Sequence, residues 1–100
     1  MTGQTNAIIM NYGAGAKLHA PTISVSGSTL TITNPAENGD FCTGYNVYKS
    51  GTFAFSVTES TVNLNDYFTV KMAYLLTARC TGEGMTESDA SNNAIYRKLS

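Results

Sequence analysis

The sequence has no Trp, two Cys, two Pro and one His, and only 13% of its 100 residues are charged. Each shortage excludes something. One His and two Cys fall short of the donor sets that most zinc and nucleophile sites need, so no metal, cofactor or enzymatic activity is expected. His19 is the one available imidazole base, and no Gly-x-Ser-x-Gly elbow accompanies it. The basic residues Lys17, Lys49, Lys71, Arg79, Arg97 and Lys98 are scattered, and net charge is −1. No basic stripe exists to neutralise phosphates, which argues against nucleic acid as a partner. No apolar run approaches the roughly 18 residues of a membrane span, so no membrane partner is expected either. The first ten residues, MTGQTNAIIM, lack the basic and long apolar regions of a secretory signal.

Hydroxyls and amides supply the polarity instead: 14 Thr, 9 Ser and 9 Asn. Thr favours strands, while Ser, Asn and the 9 Gly favour turns. At 100 residues there is room for one domain with a modest core. The composition predicts an all-β protein.

Residues 1–20 differ from the rest. They are rich in Gly and Ala and hold one short apolar run, Ala7-Ile8-Ile9-Met10, followed by the helix-breaking Tyr12-Gly13-Ala14-Gly15. They read as an extended N-terminal arm with a strand around 7–12. The body, 21–100, alternates apolar and polar residues in short runs, the period of half-buried strands. Strands are predicted at 22–26, 29–33, 44–49, 52–57, 61–64 and 71–81. A last one runs over 86–97, irregular near 88–93 and regular at 94–97. Tyr74, Leu76, Ala78 and Cys80 fall on one face of the longest. A loop, or a single helical turn around Asp66-Tyr67-Phe68, separates the fifth and sixth. Seven strands at 8–12-residue spacing, with no helical crossover, predict a seven-stranded antiparallel β-sandwich.

Several of these segments carry a family resemblance. Pro21 followed by Ile23-x-Val25, Thr29-Leu30-x-Ile32 and Gly44-Tyr45-x-Val47-Tyr48 resemble the first three strands of a fibronectin type III domain. Tyr74-x-Leu76-x-Ala78, Gly82-x-Gly84 and Ser88-x-x-Ser91-Asn92 resemble its sixth strand, the following turn and its last strand. The body is similar to the immunoglobulin-like modules of phage structural proteins and bacterial surface proteins. The resemblance implies an Ig-like sandwich in which the Tyr74 hydroxyl reaches a backbone acceptor at a corner. Two departures stand out. The Trp usual in the second strand is absent, and the stretch from Leu64 to Tyr74 is longer than the usual turn.

Four groups of residues are candidates for function. In the arm, Ile8, Ile9, Met10 and Tyr12 form an apolar segment outside any core, suited either to strand addition on a partner's sheet edge or to packing on its own sandwich. Phe53, Phe55, Tyr67 and Phe68 could stack on sugars or bury against a partner, or simply pack in the core. Phe53 and Phe55, two apart in one strand, share a face on simple alternation. Cys42 and Cys80 fall at neighbouring ends of adjacent strands, either bridged or as buried thiols, with thiols favoured in a reducing cytosol. The carboxylates Glu37, Asp40, Glu59, Asp66, Glu83, Glu87 and Asp89 lack calcium-loop spacing and read as solvated loop charge.

The function expected from this reading is a structural or interaction module. The resemblance implies a phage virion accessory, expected to decorate or cement a capsid or tail and to dock on that protein lattice, or on itself, through its arm. It would be made in the host cytoplasm. The alternative is a carbohydrate-binding or adhesion module at a bacterial cell surface.

Overall fold

The computed structural model describes residues 15–99. Seven strands form two antiparallel sheets. They are β1 (Thr22–Ser26), β2 (Thr29–Thr33), β3 (Gly44–Lys49), β4 (Thr52–Val57), β5 (Thr61–Asn63), β6 (Ala73–Thr81) and β7 (Ala94–Arg97). The three-stranded sheet is ordered β1-β2-β5 and the four-stranded sheet β4-β3-β6-β7. All strand pairs are antiparallel, as expected of a chain without helical crossovers.

Alternation explains which side chains point inward. Ile23 from β1, Leu30 and Ile32 from β2, Val47 from β3 and Tyr74, Leu76, Ala78 and Cys80 from β6 are all buried between the sheets. Fully burying a residue such as Leu30 or Leu76 contributes about 1.5–3 kcal/mol. An aromatic stack runs beside them from the surface into the core. Tyr67 lies flat on Phe55 at 3.8 Å between ring centres, Phe68 on Tyr74 at 4.3 Å, and Tyr74 beside Tyr96 at 5.8 Å.

Turn chemistry fixes the registers. Lys49 pairs with Thr52, leaving Ser50-Gly51 as a two-residue loop with both φ angles positive, 49° and 81°. That is the backbone of a type I′ hairpin turn, whose twist matches the strands it joins. Gly82 is required for a different reason. A Cβ there would stand 2.0 Å from the carbonyl oxygen of Phe41, so only glycine lets the two backbones approach.

The differences from the sequence reading are local. The sixth strand begins at Ala73 rather than 71, and the fifth ends at Asn63. The helical turn expected around Asp66–Phe68 is a 3-10 turn at Leu64–Asp66, and the connection from β2 to β3 holds further 3-10 structure at Ala36–Phe41, interrupted at Gly39. The last strand is confined to Ala94–Arg97, because residues 86–93 pair by other means. Ser88 and Ser91 donate their backbone N–H groups to the carbonyls of Cys80 and Ala78. Their hydroxyls in turn accept from the N–H groups of Cys80 and Ala78. Asn92 grips the opposite sheet, accepting from the N–H of Ile23 and donating to its carbonyl. The Ser88-x-x-Ser91-Asn92 motif is thus a side-chain ladder that replaces part of a strand and closes the sandwich along one seam.

Candidate functional site

The expected arm divides at Gly15. Ile8, Ile9, Met10 and Tyr12, and the strand expected around 7–12, lie outside the described residues. From Gly15 onward the chain belongs to the body. Gly15 donates its N–H to Gly84 and Leu18 to Thr86, Thr86 donates back to Ala16, and Lys17 bridges Thr86 in parallel. Leu18 is buried in the core at 3% exposure. Exposed Lys17 pairs with Asp89 at 2.7 Å, and this contact lowers the carboxyl's pKa from its ordinary value. The described chain is therefore anchored from Gly15 onward beside the turn after β6.

Asn38 secures the same region. It is fully buried, accepts from the backbone N–H of His19, and donates to the His19 carbonyl, to Asn34 and to the Cys80 thiol. Sequence reasoning passes over Asn38, since it stands among turn formers and its partner is nineteen residues away. His19 is exposed and engages Asn38 through its backbone.

Cys42 and Cys80 are free thiols, brought together by the pairing of β3 with β6. Burial pushes the Cys80 thiol up to about 12, helped by its hydrogen bond with Cys42. Burial, followed by the charges of the two thiols, likewise pushes the Tyr45 phenol up to about 12. Both groups hold their protons at neutral pH.

The four candidate aromatics separate into two kinds. Phe55 and Phe68 are core residues at 9% and 8% exposure and cannot present a stacking face outward. Phe53 and Tyr67 are exposed at 55% and 45%, although one face of Tyr67 is covered by Phe55. Phe53 and Phe55 do not share a face, because the register slips between them. Val47 pairs with Phe55 but Tyr48 pairs with Phe53, leaving Ala54 as a bulge. One extra residue reverses every side chain beyond it.

The bulge turns Phe53 onto the outer face of the four-stranded sheet. There it meets the Tyr48 ring edge-on at 5.9 Å. Leu75 and Ile95, both exposed, are cross-strand partners further along that sheet. The face also carries a polar network. Glu87 accepts from the Tyr48 hydroxyl at 2.7 Å and from the Asn46 amide at 2.8 Å. Its carboxylate is the main reason the Tyr48 phenol is raised above its usual pKa. The Arg79 guanidinium lies 5.2 Å over the Tyr48 ring and 3.9 Å from Glu87. Glu87 is therefore a half-buried organiser of the sheet surface, not the solvated loop charge expected. Its signal in the sequence is weak, because its partners Asn46 and Tyr48 are about forty residues away.

A groove of about 610 Å³ runs beside the first half of β4, lined by Lys49, Thr52, Phe53, Ala54, Phe68 and Met72. β4 is the outermost strand of its sheet, and among the described residues no strand pairs with its other side. Among the described residues no group of three or more His, Cys, Asp or Glu is placed to hold a metal ion.

No family model and no curated protein matches the chain. Among solved structures, the fold is similar to part of the Clostridium perfringens spore cortex lytic enzyme SleM. The TM-score is 0.51 and identity 15%, over 82% of this chain and 29% of that enzyme's. At this identity the likeness is one of fold alone, to a segment of a longer protein.

Proposed function

We propose that the chain is a non-enzymatic interaction module of the immunoglobulin-like, fibronectin type III kind, and that it decorates or cements a phage virion through its N-terminal segment. Two features support the Ig-like assignment. The fourth strand lies beside the third rather than beside the fifth, a variation on the constant-type Ig sandwich. The Tyr74 hydroxyl, near the start of β6, donates to the carbonyl of Val70 four residues upstream, in the manner of a tyrosine corner.

The observation that carries the functional reading is the fixed exit at Gly15. Backbone bonds to Gly84 and Thr86 and the burial of Leu18 anchor the chain there. An apolar segment with a rigid point of departure suits docking, with the sandwich held outward. The acidic residues with charged partners serve structure: Glu87 organises a sheet face and Asp89 pairs with Lys17.

The test is compositional. Particles purified from a phage whose genome encodes this chain should contain it in many copies, measured by quantitative mass spectrometry. Its absence from particles, with abundant free protein in the lysate, would overturn the virion assignment. The exposure of Phe53 and Tyr67 favours a glycan-binding surface module as the second reading. That reading predicts retention on a glycan array that Phe53→Ala abolishes.

A further inference from the structure

We infer that the groove where the start of β3 meets the ends of β4 and β6 binds a neutral saccharide, with the ring of Tyr67 as its stacking platform. This rests on the glycan-binding reading for its ligand class, and places the ligand in a groove rather than on the Phe53 face. It is independent of docking by the N-terminal segment.

The platform is built from the core outward. Leu64 is fully buried, and its carbonyl accepts from the N–H groups of Tyr67 and Phe68. That turn fixes the backbone from which the Tyr67 ring extends. The ring lies flat on Phe55 at 3.8 Å, with 10° between the planes, and Phe55 meets Phe68 edge-on at 5.8 Å. One face of Tyr67 is thus held by the core. The residue is nonetheless 45% exposed, so the opposite face of the ring is open to a ligand. A ring already held in place loses little freedom when a ligand stacks on it.

The groove beside the ring has a volume of about 370 Å³, at the low end of small-molecule sites. Gly44 makes the space. It pairs with Thr81 of β6, and Tyr45 next to it pairs with Val57 of β4. A Cβ on Gly44 would stand 3.0 Å from the Val57 carbonyl oxygen, 3.4 Å from Thr81 Oγ1 and 3.8 Å from Thr58 Cγ2. With no side chain there, a hollow stays open between Thr58 and Thr81. The lining brings hydroxyls from Thr43, Ser56, Thr58 and Thr81, the Asn46 amide and the Glu59 carboxylate. Several of these are held in place by one another. Ser56 donates to Asn46 at 2.5 Å, Asn46 donates to Glu87 at 2.8 Å, and Thr58 donates to Glu59 at 3.3 Å.

The lining selects the ligand. Among the described residues no Lys, Arg or His lines the groove, so nothing there neutralises a phosphate or a carboxylate. Glu59 is its single acidic residue, too little charge for a divalent cation. One exposed ring does not make the aromatic cage of a quaternary ammonium. A wholly apolar ligand would strip water from these polar side chains and return no hydrogen bond. A pyranose satisfies both parts of the groove. Its C–H face packs on an aromatic ring, and each of its hydroxyls donates and accepts, as those of Thr and Ser do. The groove beside Phe53 lacks this combination, since Phe68 and Met72 line it and its hydroxyls come only from Ser50 and Thr52.

The test is a titration of full-length protein followed by amide NMR. The probes are methyl glycosides and disaccharides of glucose, galactose, mannose and N-acetylglucosamine. At least one should bind with a Kd of about 1 mM or tighter and shift the amides of Gly44, Asn46, Thr58 and Thr81. Tyr67→Ala should weaken binding of that saccharide at least about tenfold, the loss of its platform. Thr81→Val keeps the shape, removes one hydroxyl and should weaken binding about fivefold; it carries the test alone if Tyr67→Ala fails to fold. Undiminished binding to folded Tyr67→Ala, or to Thr81→Val, would overturn the inference. So would a saccharide whose shifts map to Tyr48 and Phe53 and whose binding Phe53→Ala removes, an outcome that leaves the glycan-binding reading standing. If none of the probes binds at about 10 mM, the groove and the glycan-binding reading fall together.

Discussion

Asn38 shows how much one side chain can hold. It joins the segment at His19, the turn at Asn34 and the thiol of Cys80, all without solvent. Removing a buried polar partner leaves the others unsatisfied, at about 1–3 kcal/mol for each such group. Asn38→Ala should therefore lose about 2–3 kcal/mol in urea unfolding, and the amide of His19 should exchange faster. A second residue-scale prediction concerns alkali. The Cys80 and Tyr45 pKa values are raised in the fold, so the native state keeps protons that the unfolded chain releases. Their stabilising effect is complete below the ordinary pKa values of 9.0 and 10.0 and is lost as pH rises toward about 12. Stability should fall across that window, and Cys80→Ala should make the fall shallower, measured by urea midpoints at successive pH values. Ser50 offers the opposite kind of change. Its positive φ is costly for Ser and readily adopted by Asn, so Ser50→Asn should raise stability by up to about 1 kcal/mol. The turn at Ser50-Gly51 is legible in the sequence because the strands predicted at 44–49 and 52–57 leave only those two residues between them. Asn38 is not, because its burial depends on a partner far along the chain.

At the scale of elements, period-2 alternation located β1 to β4 and the inward face of β6 directly. It failed at Phe53, where a single bulged residue reverses the face. Simple alternation places Phe53 with Phe55; the slip between Val47 and Tyr48 separates them. It also failed at 86–93, where Ser and Asn side chains stand in for strand hydrogen bonds. No hydrophobic period marks such a segment. Asn92→Ala should free both backbone groups of Ile23, cost about 1–3 kcal/mol and speed hydrogen exchange at Ile23 more than at Leu30. Tyr74→Phe removes the hydroxyl that reaches Val70 while keeping the ring between Phe68 and Tyr96. It should cost about 1 kcal/mol and leave the sheet registers unchanged by NMR.

For the whole molecule, seven strands in two antiparallel sheets follow from composition and spacing alone. The order of those strands does not, because alternation says which face is buried and not which neighbour is paired. The candidate site was legible in part. The apolar run at 7–10 is plain in the sequence, but the point where the chain joins the body is not. Leu18 looks like part of a Gly- and Ala-rich arm until it is seen in the core. The difference decides how the claim must be tested, since removing residues 1–20 would take Leu18 out of the core and destabilise the module. The most direct measurement is co-sedimentation of full-length protein and protein lacking residues 2–13 with virus particles assembled without this chain. Full-length protein should saturate the particles, and the shortened protein, folded by circular dichroism and urea unfolding, should stay in the supernatant. Equal binding of the two would contradict docking through the N-terminal segment.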